Sequence, residues 1–159
     1  MTEYRFIPRN VSKYAGNPMQ IVARSKWELQ YMAALDSSPM VHRWLSEPKN
    51  LHIQYLNPID RKIHEYWPDF LVQYTDGNVE ILEVKPLKQA LAEKATNTYD
   101  KLSLIKNVAK WNAAEKFAKT IGARFRVITE KSLFKKKATM APKRPAPTRK
   151  PQLAVKKRA

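Results

Sequence analysis

Apolar residues recur along the chain with two periods, and the switches between them outline an α/β domain. From Arg24 to Leu35 the period is helical. Trp27, Tyr31 and Leu35 share one face, Ser25 is a suitable N-cap, and Glu28 stands three residues later as in a capping box. Ser37, Ser38 and Pro39 close this helix. The stretch before it, to about Val22, carries Pro8, Gly16 and Pro18 and reads as an irregular arm packed on the domain. Met40 to Trp44 fits a short strand or a turn. Alternation then dominates. Leu51 to Leu56 and Lys62 to Trp67 flank the turn signal Asn57-Pro58-Ile59-Asp60, and Asp69 to Thr75 and Val79 to Lys85 flank Asp76-Gly77-Asn78. Pro86 ends the last of these strands because it cannot donate to a ladder. Residues 88 to 98 are expected to be helical but poorly capped. Leu104, Ile105, Val108, Trp111, Phe117 and Ile121 mark the apolar face of a long helix from Tyr99 to Ile121, which Gly122 stops. Arg124 to Thr129, β-branched and aromatic, reads as a final strand.

The second hairpin carries the strongest constraint. A two-residue Asp76-Gly77 loop would pair Asp69 with Val84 and leave Asp69 and Glu83 on opposite faces. A three-residue loop, Asp76-Gly77-Asn78, pairs Asp69 with Lys85 and Leu71 with Glu83. Asp69, Glu83 and Lys85 then face one way, and Phe70, Val72, Tyr74, Leu82 and Val84 form a coherent apolar face on the other. The three-residue loop is therefore expected, with Gly77 or Asn78 left-handed.

Composition adds a net charge of +16 on 159 residues. The surplus is uneven. Lys135, Lys136, Lys137, Lys143, Arg144, Arg149, Lys150, Lys156, Lys157 and Arg158 lie in a proline-rich segment, 135–159, with no acidic residue. The body keeps 20 Lys or Arg against 14 Asp or Glu, a surplus of +6. The expected organisation is a body over 1–134 and a disordered basic tail over 135–159, too poor in apolar residues to offset its chain entropy. Such charge points to a polyanion, nucleic acid foremost, and these ten cations are candidate phosphate contacts. With no cysteine there is neither a disulfide framework nor a thiolate metal site. The first residues lack the apolar stretch of a signal peptide, and no run reaches membrane-spanning length, so a soluble protein without a membrane partner is expected.

Candidate chemistry concentrates in Tyr66-Trp67-Pro68-Asp69-Phe70 and Glu83-Val84-Lys85. An aspartate and a Glu-x-Lys on adjacent strands suit metal-assisted phosphodiester hydrolysis. Two carboxylates supply hard oxygen ligands for a divalent cation, and the ammonium, one side-chain period along the strand, can balance charge developing at phosphorus. The rival reading is a solvated polar face. Charges bounded by Ile81, Leu82 and Val84 speak against it, because unpaired buried charge is costly.

The arrangement resembles the PD-(D/E)xK nuclease superfamily and, within it, the TnsA-like endonucleases, which share Ser-x-x-Glu on a helix (Ser25 and Glu28 in this chain), then Pro-Asp-Phe and Glu-Val-Lys. The head-completion nucleases of T-even-type tailed phages are similar over more of the chain, through residues 6–10, 13–16, 21–28, 44–47, 58–64, 66–70 and 83–86, and more weakly 111–112 and 128–130. The resemblance implies a restriction-endonuclease-like core, α/β with a mixed central β-sheet flanked by helices. It implies magnesium, or manganese, bound by Asp69 and Glu83 with the Val84 carbonyl as a further ligand, Lys85 as the catalytic lysine and Glu28 as a supporting acid. The implied function is a DNA endonuclease that trims or processes DNA at the packaged phage head before tail attachment. DNA and head or portal-neck proteins are its expected partners, and the host cytoplasm or the virion its location. Leu87 to Thr98 and the basic tail match nothing in the pattern. A transposase endonuclease subunit and a non-catalytic DNA-binding head or neck protein are the rivals.

Other candidates have competing structural explanations. Glu28 on spacing alone is the partner of the Ser25 cap. His64 fits a phosphate contact or a packing histidine equally, and Trp27, Trp44, Trp67 and Trp111 read as core residues in preference to base-stacking platforms. Lys88, Lys94 and Lys101 fit either a DNA path or a solvated helix face.

Overall fold

A computed structural model of the chain describes residues 2–87, 90–91 and 94–131. Its centre is a four-stranded sheet in the order β3 (Val41–Ser46), β6 (Phe70–Tyr74), β7 (Val79–Val84) and β8 (Arg124–Ile128). The first three are antiparallel neighbours, and β8 runs parallel to β7. A parallel neighbour needs a long crossover, supplied here by α2 (Thr98–Thr120). The expected mixed sheet follows from that connection. Two short ribbons flank it: β1 (Tyr4–Arg5) with β2 (Val22–Ala23), and β4 (Ile53–Leu56) with β5 (Ile63–Tyr66). The helix α1 (Lys26–Ser37) begins at the Ser25 cap, whose side chain accepts from the Glu28 amide at 3.1 Å.

The two faces of the sheet are covered differently. Phe70, Val72, Tyr74, Leu82 and Val84 pack with Tyr31, Met32 and Leu35 of α1, with Trp44, and with Tyr14 and Ile21 of the arm. On the opposite face Ile81 and Leu71 meet Phe117 and Ala118 of α2, and the β4–β5 ribbon packs on the same helix through Tyr55, Tyr66 and Ala114. The arm is thus part of the core. Asn10 and Lys13 hold it to the end of α1 through Asp36 and Ser38.

The second hairpin has a three-residue loop, but the loop is Thr75-Asp76-Gly77, one residue earlier than expected. The Tyr74 amide donates to the Asn78 carbonyl at 2.8 Å, and Gly77 takes φ +90°. The side chain of Asp76 accepts from the Asn78 amide at 2.9 Å, which holds Asn78 at the start of the returning strand. Phe70 consequently pairs with Leu82 and Leu71 with Ile81, two positions from the expected register. Because the displacement is even, every side chain keeps its expected face.

The long helix departs further from expectation. Ile105, Val108 and Ile121, expected on its apolar face, are exposed, as are Tyr99 and Leu102. Its buried positions are Asp100, Asn107, Ala114 and Ala118. Ala114 and Ala118, with half-buried Phe117, make the contact with the sheet and the β4–β5 ribbon, while Ile105, Val108 and Ile121 lie on the open side of the helix. The helix expected over 88–98 lies partly outside the described residues; those described before Thr98 form turns, with amide bonds from Ala90 to Leu87 and from Lys94 to Leu91. The basic tail, 135–159, lies wholly outside them, as does Lys88. No helix among the described residues is long and apolar enough to cross a membrane.

Candidate active site

Asp69 sits just before β6, Glu83 near the end of β7, and Lys85 directly after it. Residues 69, 83 and 85 share the sheet face that carries Leu71 and Ile81, the side covered by α2. The Asp69 Oδ2 accepts from the Val84 amide at 2.8 Å, so the carboxylate bridges the end of the hairpin. Glu83 is buried, 4% exposed, and its Oε1 accepts from the Tyr66 hydroxyl at 2.7 Å. Lys85 Nζ lies 3.7 Å from Glu83 Oε2, while its amide donates to the Ile128 carbonyl at 2.9 Å. Glu28 approaches from α1. Its Oε1 accepts from the Arg24 amide at 3.1 Å, the residue before the cap, so it closes the first turn much as a capping box does. Both interpretations of Glu28 are therefore compatible: it supports the helix start and stands in the electrostatic field of the site.

That field is strained. Burial raises the Asp69 carboxyl well above the ordinary carboxylate range, and the charges of Glu83 and Glu28 raise it further, against the Val84 amide and Lys85. Burial raises Glu83 as well, opposed by Lys85, the Tyr66 hydroxyl and Lys110. Glu28 is raised by burial, with the Arg24 amide opposing and Glu47 adding to the shift. Three carboxyls whose ionised forms are disfavoured by burial and by one another's charge leave unmet negative potential around Asp69, which a cation would relieve. Among the described residues, no group of three or more His, Asp or Glu side chains is arranged to hold a metal by itself. An ion here would rest on Asp69 and Glu83, with water and main-chain oxygen completing its shell, a donor set suited to a hard divalent cation.

Of the other sequence candidates, His64 is engaged elsewhere and Val84 stands at the site. His64 is engaged by Asp60, Nε2 to Oδ2 at 2.7 Å, on the β4–β5 ribbon. Val84 contributes its amide to Asp69. The ten tail cations lie outside the described residues.

Several residues at the site carry no local sequence signal. Tyr66 reaches Glu83 from the neighbouring ribbon. Lys110 of α2 lies 5.4 Å from the Tyr66 ring centroid and 6.0 Å from that of Tyr55, and burial and the nearby Lys85 lower its proton affinity. Glu47 holds a left-handed φ of 50°, donates its amide to the Asp69 carbonyl at 2.8 Å, and is clamped by Arg24 at 2.6 Å. A left-handed non-glycine residue against the metal-ligand candidate is local strain of the kind found at functional sites. Trp67, expected in the core, is 47% exposed.

The chain is similar in sequence to known endonucleases. The family described as TnsA-like endonuclease N terminal matches residues 38–130, which include Asp69, Glu83, Lys85 and Lys110. The chain is 30% identical over 139 residues to the head completion nuclease of Enterobacteria phage T4, a match covering 81% of this chain and 91% of the phage protein.

Proposed function

Because the chain belongs to the TnsA-like endonuclease family, we propose that it is a divalent-metal-dependent DNA endonuclease acting in the completion of phage heads. The observation that carries the chemistry is the confinement of Asp69 and Glu83 on one sheet face, both with raised proton affinity, beside the Lys85 ammonium.

Asp69 and Glu83 would hold magnesium or manganese, with the Val84 carbonyl as a further ligand. Such an ion would supply Lewis acidity toward the scissile phosphate and make its bound water more acidic. Attack by water on phosphorus, in line with the departing sugar oxygen, builds negative charge on the non-bridging oxygens. Lys85 balances that charge, held in place by its contact with Glu83 and by its own amide bond to β8. Glu28, whose charge acts on Asp69, supplies a further acid. The body over 1–134 performs the chemistry, and the cations of 135–159 retain the DNA. The phage protein's name supports a role at the packaged head, with head or portal-neck proteins as partners, in the host cytoplasm or the virion.

Cleavage of a supercoiled plasmid, with magnesium and with manganese, tests this reading against Asp69→Asn and Lys85→Ala. We expect cleavage by the wild type, background for Asp69→Asn, and a loss of roughly 10²–10³-fold for Lys85→Ala. Equal activity in all three proteins, or none in the wild type with any divalent metal, overturns it.

A further inference from the structure

Beside Asp69 a cleft of about 520 Å³ opens, lined by Trp67, Pro68, His52, Lys49, Arg24 and Glu47. We propose that this cleft takes one unstacked base of the DNA substrate, so that the enzyme favours sites where the nucleotide next to the scissile phosphate is unpaired. The inference rests on the nuclease reading above and specifies its substrate.

Three observations converge. The volume falls in the roughly 300–1,000 Å³ range of small-ligand sites, suited to a nucleotide and far too small for a duplex. Trp67, alone of the four tryptophans among the strongly exposed large hydrophobic residues, lines the cleft with its indole, and His52 stands against it with ring centroids 5.5 Å apart at 72°. A base within a duplex has both faces covered by its neighbours; only an unstacked base can use an indole in this way. Charge fits too. The Glu47 carboxylate, which would repel a phosphate, is paired with Arg24 at 2.6 Å, a guanidinium that also meets Glu3 at 3.0 Å, while Lys49 makes no ion pair among the described residues and is exposed. Since Asp69 is itself part of the lining, the base in the cleft belongs to a nucleotide adjoining the bond to be cut.

The test uses the full chain and two DNAs, a blunt duplex and the same duplex with a single-stranded arm, bound in EDTA so that nothing is cut. Arms carrying 2-aminopurine at successive positions report stacking on the indole as a quenched emission. We expect tighter binding of the armed duplex and quenching at one position. In Trp67→Ala the affinity loss on the armed duplex should exceed that on the blunt one by roughly tenfold, with the quenching gone. Trp67→Phe, which keeps a stacking face, should restore most of both. Equal losses on the two DNAs, or no position-specific quenching in the wild type, overturn the proposal. A wild type that cuts neither DNA with any divalent metal, yet shows the Trp67-dependent arm preference, removes the nuclease reading and leaves the cleft assignment standing.

Discussion

The Tyr66 hydroxyl donates to Oε1 of Glu83 at 2.7 Å, linking the β4–β5 ribbon to the carboxylate at the end of β7. This bond favours ionised Glu83 and orients it. Tyr66→Phe should therefore raise the magnesium concentration for half-maximal cleavage by roughly 10–100-fold, the usual effect of losing a partner behind a metal ligand. Saturating metal should recover most of the rate. An unchanged metal titration would show that Glu83 needs no such support.

Acidity provides a second test. Asp69, Glu83 and Glu28 all have raised proton affinity in the folded protein. Such a group adds stability below the ordinary carboxylate range, near pH 4, and that addition is lost as pH rises through the raised value. Without metal, wild type should therefore lose thermal stability relative to Asp69→Asn as pH climbs from about 4 to neutrality. Saturating magnesium should reverse the trend, adding about 2.7 kcal/mol at a hundredfold excess over its Kd. Melting curves across that range, with EDTA or magnesium, read it directly. A flat difference between the two proteins in EDTA would contradict the strained field around Asp69.

On the α1 side of the sheet, buried Glu80 accepts from the Tyr74 hydroxyl at 2.8 Å and from Arg126 at 3.0 Å. Removing one partner of an isolated buried pair costs about 3–5 kcal/mol; Arg126 is partly open to solvent and Arg124 remains 3.6 Å from Glu80, so Arg126→Met should cost less, about 1–2 kcal/mol. The loss appears as a lower denaturation midpoint with the metal titration unchanged. A shift in metal affinity would mean the two faces of the sheet are coupled.

Replacing the ten Lys and Arg of residues 135–159 by Gln should weaken DNA binding and flatten its salt dependence, by about 0.9 in log–log slope for each phosphate that is no longer neutralised. Plasmid cleavage at low salt should persist. An unaltered slope would assign those cations to something other than DNA.

How much of the fold and site is legible in the sequence varies with the kind of information each feature needs. Strand alternation and the Asp76-Gly77 turn signal are enough to place Asp69, Glu83 and Lys85 on one face. The pairing itself lies two positions away from expectation, because Thr75 enters the turn and the Asp76 side chain returns Asn78 to the ladder. The apolar face expected for α2 packs only in part: Phe117 reaches the core while Ile105, Val108 and Ile121 stay exposed, and the fully buried positions are Asp100, Asn107, Ala114 and Ala118, which a hydrophobicity pattern passes over. Tyr66 and Lys110 meet Glu83 only through the docking of separate elements, which no local pattern encodes. Glu28 is legible as a cap from spacing, and as an acid of the site only through resemblance. Trp67 departs from expectation because tryptophan is usually buried.

The Asp69 carboxylate is also a rung between the two strands, gripping the Val84 amide with one oxygen, and this governs how the centre can be disabled. An amide in its place keeps a carbonyl for that rung while surrendering the charge; a methyl group keeps neither. Alanine at this position would blend a folding defect with a chemical one, whereas asparagine separates architecture from reactivity.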